Sequence, residues 1–153
     1  MIQGIEIKEL KIYPDDRGMF TELVKVTDAF VEPHPFAQIS HTVTFPGVIK
    51  AFHWHKYQID YWYCIAGSIR VALVDLRKES STTGEHASIV LGEWSRKVIK
   101  IPPFVAHGYQ VLGQTPAQLI YYTTQAYDPQ QPDEERLAWD DPSIGYDWVI
   151  HNR

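Results

Sequence analysis

The sequence is short of cysteine and of long apolar runs, and each shortage excludes a class of protein. Cys64 is the only cysteine among 153 residues, which excludes an internal disulfide framework and any CxxC zinc or redox motif. It follows the aromatic residues Tyr61 to Tyr63, a setting that predicts a buried and inert thiol. No apolar run could cross a bilayer, and the amino terminus lacks the hydrophobic region of a signal peptide. We therefore expect a cytoplasmic protein without a membrane partner.

Positive charge is also scarce. The 14 Lys and Arg residues are outnumbered by 19 Asp and Glu residues, which gives a formal net charge of −5, and no local basic patch is visible. A nucleic-acid partner or an anionic membrane surface is therefore not favoured. With 44% hydrophobic and 22% charged residues, the composition is that of a globular protein. The length fits a single domain over residues 1–153 with a full hydrophobic core.

Helical periodicity is almost missing, and short alternating runs take its place. Pro33 and Pro35 interrupt one possible helix, and the segment from Asp133 to Trp139 has room for only a turn or two. About ten short strands, separated by turns rich in Gly, Pro, Asp and Ser, predict an all-β sandwich, jelly roll or barrel. The predicted strands are 5–12, 19–26, 37–44, 48–52, 61–66, 69–76, 87–91, 97–101, 108–112 and 117–124.

The segment from Tyr127 to Arg153 is rich in Pro, Asp and Trp. We interpret it as an irregular tail that packs Trp139, Ile144 and Trp148 onto the sheet, because large apolar side chains are costly to leave in water.

Histidine is plentiful, and three of the seven residues fall into one pattern. His53 and His55 are two residues apart on a predicted strand, so their side chains leave the same face. Asp60 can return to that face across a short turn, and His107 begins a later strand. Three imidazoles with one carboxylate suit Zn, Fe, Mn, Ni or Cu. In the alternative, His55 faces solvent, Asp60 ends a turn, and the other two histidines are hydrogen-bonded pocket residues.

The spacing of these groups, with Gly47 and Gly67 on either side, resembles the two sequence motifs of the cupin superfamily. Asp60 stands where the first motif usually has Glu. The resemblance implies a metal site inside a small β-barrel, and its ligands would be His53, His55, Asp60 and His107. The other histidines belong to no such pattern, and we expect surface or turn positions for His34, His41, His86 and His151.

Five blocks along almost the whole chain carry a closer resemblance. They are DDRGMFTE at 15–22, GVIKAFH at 47–53, VDLRKESSTTG at 74–84, IPPFVAHGY at 101–109, and LIYYTT at 119–124 followed by WDDPSIGYDW at 139–148. In order and spacing these blocks resemble the dTDP-4-dehydrorhamnose 3,5-epimerase family. That resemblance implies a cupin-type jelly roll, also called a double-stranded β-helix, and a homodimer.

The activity implied by the resemblance is that of an isomerase in carbohydrate biosynthesis. Its substrate would be a 4-keto-6-deoxy hexose linked to dTDP or another nucleoside diphosphate. Protons would be removed and returned at C3 and C5, beside the ketone, with no cofactor required. The family's base falls on His53 and its acid on Tyr121. Tyr121 and Tyr122 are adjacent on one strand and face opposite ways, so one of them belongs to the core.

Other matching positions concern substrate binding. Arg17 and Lys50 match positions that hold the diphosphate, and Lys50 replaces an arginine, which loses bidentate geometry. Glu22 and Gln38 match positions that line the nucleotide and sugar pocket. His107 is a further pocket residue under this interpretation.

The sequence departs from the family pattern at the reacting centre. The family's active-site lysine aligns with Asp60, so the cation that would stabilise an enolate oxygen is missing. The family's glutamine aligns with His55, and the carboxylate that pairs with the base has no match. These changes convert the pocket to the metal-binding pattern described above, in which a divalent ion would replace the lysine and His53 would be a ligand instead of the base.

Two rival functions remain open beside the epimerase. The first is a metal-dependent cupin, an oxygenase or isomerase that acts on another small molecule through His53, His55, Asp60 and His107. The second is a non-catalytic protein that binds a sugar nucleotide, with the missing lysine as a sign of lost activity.

Overall fold

The computed structural model describes residues 1–33 and 36–151, and every regular element in this part of the chain is a strand. The strands are β1 (Glu6–Glu9), β2 (Ile12–Asp15), β3 (Gly18–Thr21), β4 (Gln38–Thr44), β5 (Ile49–His55), β6 (Asp60–Ala66), β7 (Ser68–Asp75), β8 (His86–Gly92), β9 (Lys97–Ile101), β10 (Val105–Leu112), β11 (Ala117–Thr123) and β12 (Glu134–Arg136). The described residues therefore include no helix that could cross a membrane.

Most of the strands form two five-stranded antiparallel sheets. The first sheet has the order β1-β9-β6-β11-β4, the second has the order β12-β5-β10-β7-β8, and β2 and β3 form a separate hairpin. Between β4 and β11 the chain crosses from one sheet to the other at most steps, which is the connectivity of a jelly roll. The predicted all-β, double-stranded β-helix is confirmed.

Apolar side chains fill the space between the two sheets. On β7, Ile69, Val71 and Leu73 are fully buried at every second position, and Ile99 and Leu119 meet them from the first sheet. This alternation is the pattern expected of strands that turn one face to a core.

Segments outside the sheets cover their outer faces. On the first sheet, Tyr61 and Tyr122 pack against Phe36 from the stretch before β4. On the second sheet, Phe52 packs against Tyr146 and Trp148 of the carboxy-terminal segment.

The predicted packing of the tail is confirmed for two of its three apolar residues. Ile144 and Trp148 are buried, whereas the side chain of Trp139 is half-exposed and that part of the prediction is wrong. The chain turns at Trp139, and its carbonyl accepts a hydrogen bond from Trp148 Nε1 at 2.9 Å. The backbone of this residue is therefore fixed while its ring stays outside the core.

The segment from Asp133 to Trp139 forms no helix, although its sequence had room for a turn or two. Its central residues form β12, which pairs antiparallel with β5, so that Glu134 lies opposite His55 and Arg136 opposite His53. Without β12, strand β5 would leave its backbone groups unpaired at the edge of the sheet. The predicted irregular tail therefore completes the second sheet.

Several strand boundaries also differ from the prediction. Predicted strand 5–12 is divided into β1 and β2, and strand 19–26 ends at Thr21. Strand 48–52 continues to His55, and strand 108–112 begins at Val105. The last two differences matter because they place His53, His55 and His107 within regular strands.

Strands β5 and β10 pair with a shift in register. His107 lies opposite His53, but Tyr109 lies opposite Lys50, so β5 carries one extra residue at this point. Gly108 sits in the shift, and a Cβ atom there would lie 2.6 Å from Ala51 Cα and from the Lys50 carbonyl oxygen. The absence of a side chain at Gly108 allows the two strands to approach.

Cys64 is predicted to resist thiol reagents in the folded protein. It is 1% exposed, and burial is the main cause that raises the pKa of its thiol to about 11. Since the thiolate is the reactive form, native protein at pH 7.5 should show no fast-reacting thiol, and guanidinium-unfolded protein should show one per chain. Colorimetric titration with a disulfide reagent measures both, and rapid labelling of the native protein would contradict the prediction.

Gly108→Ala is predicted to destabilise the protein by about 1–3 kcal/mol, because its methyl group would overlap the backbone of β5. Urea unfolding monitored by tryptophan fluorescence measures the loss. The control is Val90→Ala on β8, where the side chain is largely exposed and the expected change is within about 0.5 kcal/mol. Equal stability of the two variants would show that β5 and β10 are not in close contact at this point.

Candidate active site

A cavity of about 520 Å³ opens between the two sheets, and most of the sequence-predicted site residues line it. The second sheet contributes Lys50, His53 and His55, and the first sheet contributes Asp60 and Tyr121. The cavity is therefore built from facing walls that belong to different sheets.

Strand geometry explains why these residues meet. His53 and His55 are two residues apart on β5, so both side chains lie on its inner face. The pairing of β5 with β10 places His107 directly opposite His53. Lys50 is three residues from His53 and would face the other way in a regular strand. The extra residue in β5 returns Lys50 to the cavity.

Four side chains that could hold a metal ion converge on the closed side of the cavity. One nitrogen or oxygen atom from each of His53, His55, Asp60 and His107 lies within 4.8 Å of the others. Asp60 Oδ2 is 3.4 Å from His107 Nε2, and Asp60 Oδ1 is 3.7 Å from His55 Nε2. The two carboxylate oxygens thus face one imidazole each.

The far nitrogens of two histidines are fixed by backbone carbonyl groups. His107 Nδ1 lies 2.8 Å from the Val105 carbonyl oxygen, and His55 Nδ1 lies 3.3 Å from that of Asp133. A carbonyl oxygen can only accept, so each Nδ1 carries the proton and donates. In the neutral rings, both Nε2 atoms then present lone pairs towards Asp60.

Asp60 is buried and receives hydrogen bonds from neutral donors. Trp62 Nε1 donates to Oδ2 at 3.1 Å, and Gln58 Nε2 donates to Oδ1 at 2.7 Å. Among the described residues, no lysine or arginine nitrogen lies within 4.0 Å of this carboxylate. The Gln58 amide also lies 3.1 Å from His55 Nε2.

Burial and charge set the protonation of the cluster. Burial alone would raise the pKa of Asp60, but the surrounding histidines, His107 above all, lower it below its usual range. Burial, reinforced by the neighbouring His107, lowers the pKa of His53 well below its usual value. Burial is also the main cause that lowers the pKa of His55. Near neutral pH these groups comprise one carboxylate and two uncharged imidazoles.

The two adjacent tyrosines face opposite ways, as expected. Tyr121 packs against the core between the sheets and lines the cavity, whereas Tyr122 is buried on the outer face beneath Phe36. Tyr122 is therefore the structural member of the pair.

A second cavity of about 320 Å³ adjoins the first and shares His55 and Tyr121 with it. Gln38 lines this second cavity, and its side-chain oxygen accepts a hydrogen bond from the Tyr127 backbone at 2.9 Å. Gln38 and Lys50 thus line adjoining cavities.

Two predicted substrate-binding residues lie elsewhere in the chain. Arg17 is exposed at the turn between β2 and β3, where it pairs with Asp15 at 2.6 Å. Glu22 is exposed beyond β3 and pairs with Lys25 at 2.9 Å. Neither Arg17 nor Glu22 is among the residues that line the two cavities of its own chain.

The sequence interpretation missed the contribution of β12 and of Gln58. Glu134 and Arg136 line the larger cavity, because β12 pairs with the strand that carries His53 and His55. Three charged residues in a row gave no alternating signal for a strand. The position of Gln58, between His55 and Asp60 in the motif, was an available signal.

Three of the remaining histidines take no part in the cluster. The side chains of His41, His86 and His151 are exposed, and His34 lies outside the described residues.

Comparisons with known proteins match the whole chain. Residues 1–153 match the family model described as dTDP-4-dehydrorhamnose 3,5-epimerase. The chain is 47% identical over 148 residues to the spore coat polysaccharide biosynthesis protein SpsL of Bacillus subtilis, with 97% of each chain covered. It is 38% identical over 148 residues to a probable low-salt glycan biosynthesis epimerase of Haloferax volcanii, with 96% of this chain and 94% of the relative covered.

A solved structure of an epimerase also matches the fold of this chain. The chain superposes with a TM-score of 0.84 on the Legionella pneumophila dTDP-6-deoxy-D-glucose-3,5-epimerase in complex with dTDP-4-keto-L-rhamnose. The sequences are 27% identical, and the match covers 97% of this chain and 80% of the Legionella chain.

Proposed function

The chain belongs to the dTDP-4-dehydrorhamnose 3,5-epimerase family, and from that membership we propose that it is an isomerase that inverts carbon centres beside the ketone of a dTDP-linked 4-keto-6-deoxy hexose. The sugar nucleotide in the Legionella relative supports this class of substrate. Family membership favours this activity over an oxygenase and over a non-catalytic binding protein.

One observation carries the assignment of catalytic residues: His53 and Tyr121 lie on opposite walls of one cavity. His53 belongs to β5 of the second sheet, and Tyr121 belongs to β11 of the first. Inversion requires that a proton leave one face of a carbon and that a proton arrive on the other. Two side chains on facing walls can remove the proton from one face of the carbon and deliver a proton to the other face.

We assign the base to His53 and the acid to Tyr121. The lowered pKa of His53, caused mainly by burial, keeps its imidazole uncharged at neutral pH and able to accept a proton from C3 or C5. The C4 ketone makes those protons acidic by delocalising the charge left behind. The Tyr121 hydroxyl would then protonate the same carbon from the opposite wall.

Two cationic side chains are suited to the diphosphate. Lys50 Nζ donates to Thr42 Oγ1 at 3.1 Å, between the second sheet and the first, and Arg136 stands on β12 at the cavity. We assign the phosphates to these two residues and the nucleotide or sugar to the neighbourhood of Gln38. The unpaired thiol of Cys64 is consistent with a cytoplasmic protein.

Deuterium exchange tests this function. In D₂O, the wild-type protein should incorporate deuterium at C3 or C5 of a dTDP-4-keto-6-deoxy hexose and invert the centre, as followed by NMR. Tyr121→Phe should lose inversion and His53→Ala should lose exchange, each rate falling by about 10²–10⁴-fold. The experiment is run with and without a metal chelator.

The matched control is Tyr122→Phe, which removes a hydroxyl from the neighbouring tyrosine on the far side of the same sheet. It should retain both exchange and inversion. Wild-type protein that binds the sugar nucleotide without exchange would overturn the proposed activity. Unchanged inversion in Tyr121→Phe would remove that residue from the mechanism.

We further propose a homodimer in which Arg17 and Glu22 serve the cavity of the partner subunit. Both residues lie outside the cavities of their own chain. The hairpin that carries Arg17 exposes Tyr13 and Phe20, and edge strand β4 exposes further apolar side chains, including Ile39 and Val43. Exposed apolar surface of this kind is suited to contact between subunits.

Complementation between two defective chains tests this arrangement. Arg17→Ala and Tyr121→Phe homodimers should each be weak or inactive. If Arg17 acts on the partner's cavity, unfolding and refolding the two together should restore about a quarter of the sites, because each mixed dimer contains one intact site. Sedimentation measures the dimer, and the exchange rate measures the restored sites. Absence of recovery in confirmed mixed dimers would place Arg17 in the site of its own chain or outside the mechanism.

A further inference from the structure

A cluster of electron-pair donors lies beside the cavity. His53, His55, Asp60 and His107 offer three nitrogens and one carboxylate oxygen within 4.8 Å of one another. We propose that these four side chains bind one divalent transition-metal ion.

The fixed orientation of two imidazoles is the first reason. His107 and His55 each give the Nδ1 proton to a backbone carbonyl, at 2.8 and 3.3 Å, which turns an Nε2 lone pair towards Asp60 in the neutral ring. Histidine ligands of metal ions are commonly held in this way, with the non-ligating nitrogen donating to a carbonyl or carboxylate. The orientation needed for binding is therefore already built.

An unsatisfied buried atom is the second reason. His107 Nε2 is buried and has no hydrogen-bond partner, although Asp60 Oδ2 is only 3.4 Å away. In the neutral ring this nitrogen and the carboxylate are both acceptors, so their proximity is unfavourable unless a cation lies between them. Buried polar atoms of this kind usually have a partner, which a metal ion would supply.

The balance of charge is the third reason. Asp60 is 2% exposed, and among the described residues no lysine or arginine nitrogen lies within 4.0 Å of its carboxylate to balance a negative charge. A divalent cation would offset this buried charge. Gln58 donates to Asp60 Oδ1 at 2.7 Å and Trp62 donates to Oδ2 at 3.1 Å, which leaves a lone pair available on each carboxylate oxygen.

The donor set selects the class of ion. Three imidazoles with one carboxylate suit Zn²⁺, Mn²⁺, Fe²⁺ or Ni²⁺, whereas Mg²⁺ and Ca²⁺ prefer sites made of oxygen atoms. His53, His55 and Asp60 also line the cavity, so an ion there would be accessible to a substrate. When bound, it would supply positive charge for a ketone or enolate oxygen.

Ion binding would change the availability of His53. A nitrogen that holds an ion cannot take a proton, so the role of base proposed above belongs to His53 in the ion-free protein. The binding proposal does not depend on that role, because uptake of an ion is measured without any substrate.

Metal titration of the chelator-treated full chain tests the proposal. Zn²⁺ uptake should reach one ion per chain by elemental analysis, and Co²⁺ should give a visible absorption band that reports its ligands. His55→Ala and Asp60→Asn should each weaken binding at least about tenfold, since even indirect partners of a metal commonly contribute 10–100-fold. The matched control, His86→Ala, alters an exposed histidine on the outside of β8 and should bind as the wild type does.

Three outcomes would overturn the proposal, and the first two do not require the variants to fold. The first is wild-type protein that binds less than one Zn²⁺ per chain at a micromolar Zn²⁺ concentration. The second is an absorption spectrum of Co²⁺ that stays that of the fully hydrated ion when the protein is present. The third is equal affinity in folded His55→Ala, folded Asp60→Asn and the control. These outcomes can be distinguished from a failure of the proposed epimerase activity, because deuterium exchange is measured in both the chelator-treated and the metal-loaded protein.

Discussion

The buried carboxylate of Asp60 organises the polar contacts between the two sheets beside the cavity. Asp60 begins β6 in the first sheet, yet the imidazoles that surround it come from β5 and β10 of the second. Taking a charge out of water is costly unless nearby groups compensate it. Trp62 and Gln58 supply hydrogen bonds, and His55 and His107 face the remaining carboxylate lone pairs. The polar contacts between the two sheets at this point are therefore organised around one charge.

The two sheets contribute different chemistry to the cavity. The second provides imidazoles and cationic side chains, and the first provides the carboxylate and the Tyr121 hydroxyl. A substrate held between them would meet groups of different acidity on its two faces, which an inversion requires. The family membership identifies the reaction class, and the buried Asp60 carboxylate adds a negative charge to the wall of the cavity.

The fold and much of the site could be predicted from the sequence because they depend on local alternation and on motif spacing. Two-residue spacing placed His53 and His55 on one face, and adjacency separated Tyr121 from Tyr122. The contribution of β12 could not be predicted, since a short charged strand has no apolar period and forms only by pairing with β5. The position of Lys50 depends on an extra residue in β5, which is visible only once the register with β10 is known. Motif matching also could not reveal that Arg17 and Glu22 lie outside both cavities of their own chain.

Strand β12 has a consequence for the order in which the site can be completed. It is the last strand in chain order, and it supplies Glu134 and Arg136 to a cavity whose other walls are formed much earlier in the sequence. Tyr146 and Trp148, which follow it, cover the outside of the same sheet. A chain emerging from the ribosome could therefore assemble both sheets around the histidines while the cavity still lacked one wall. Competence to hold a ligand would be acquired only when β12 pairs with β5.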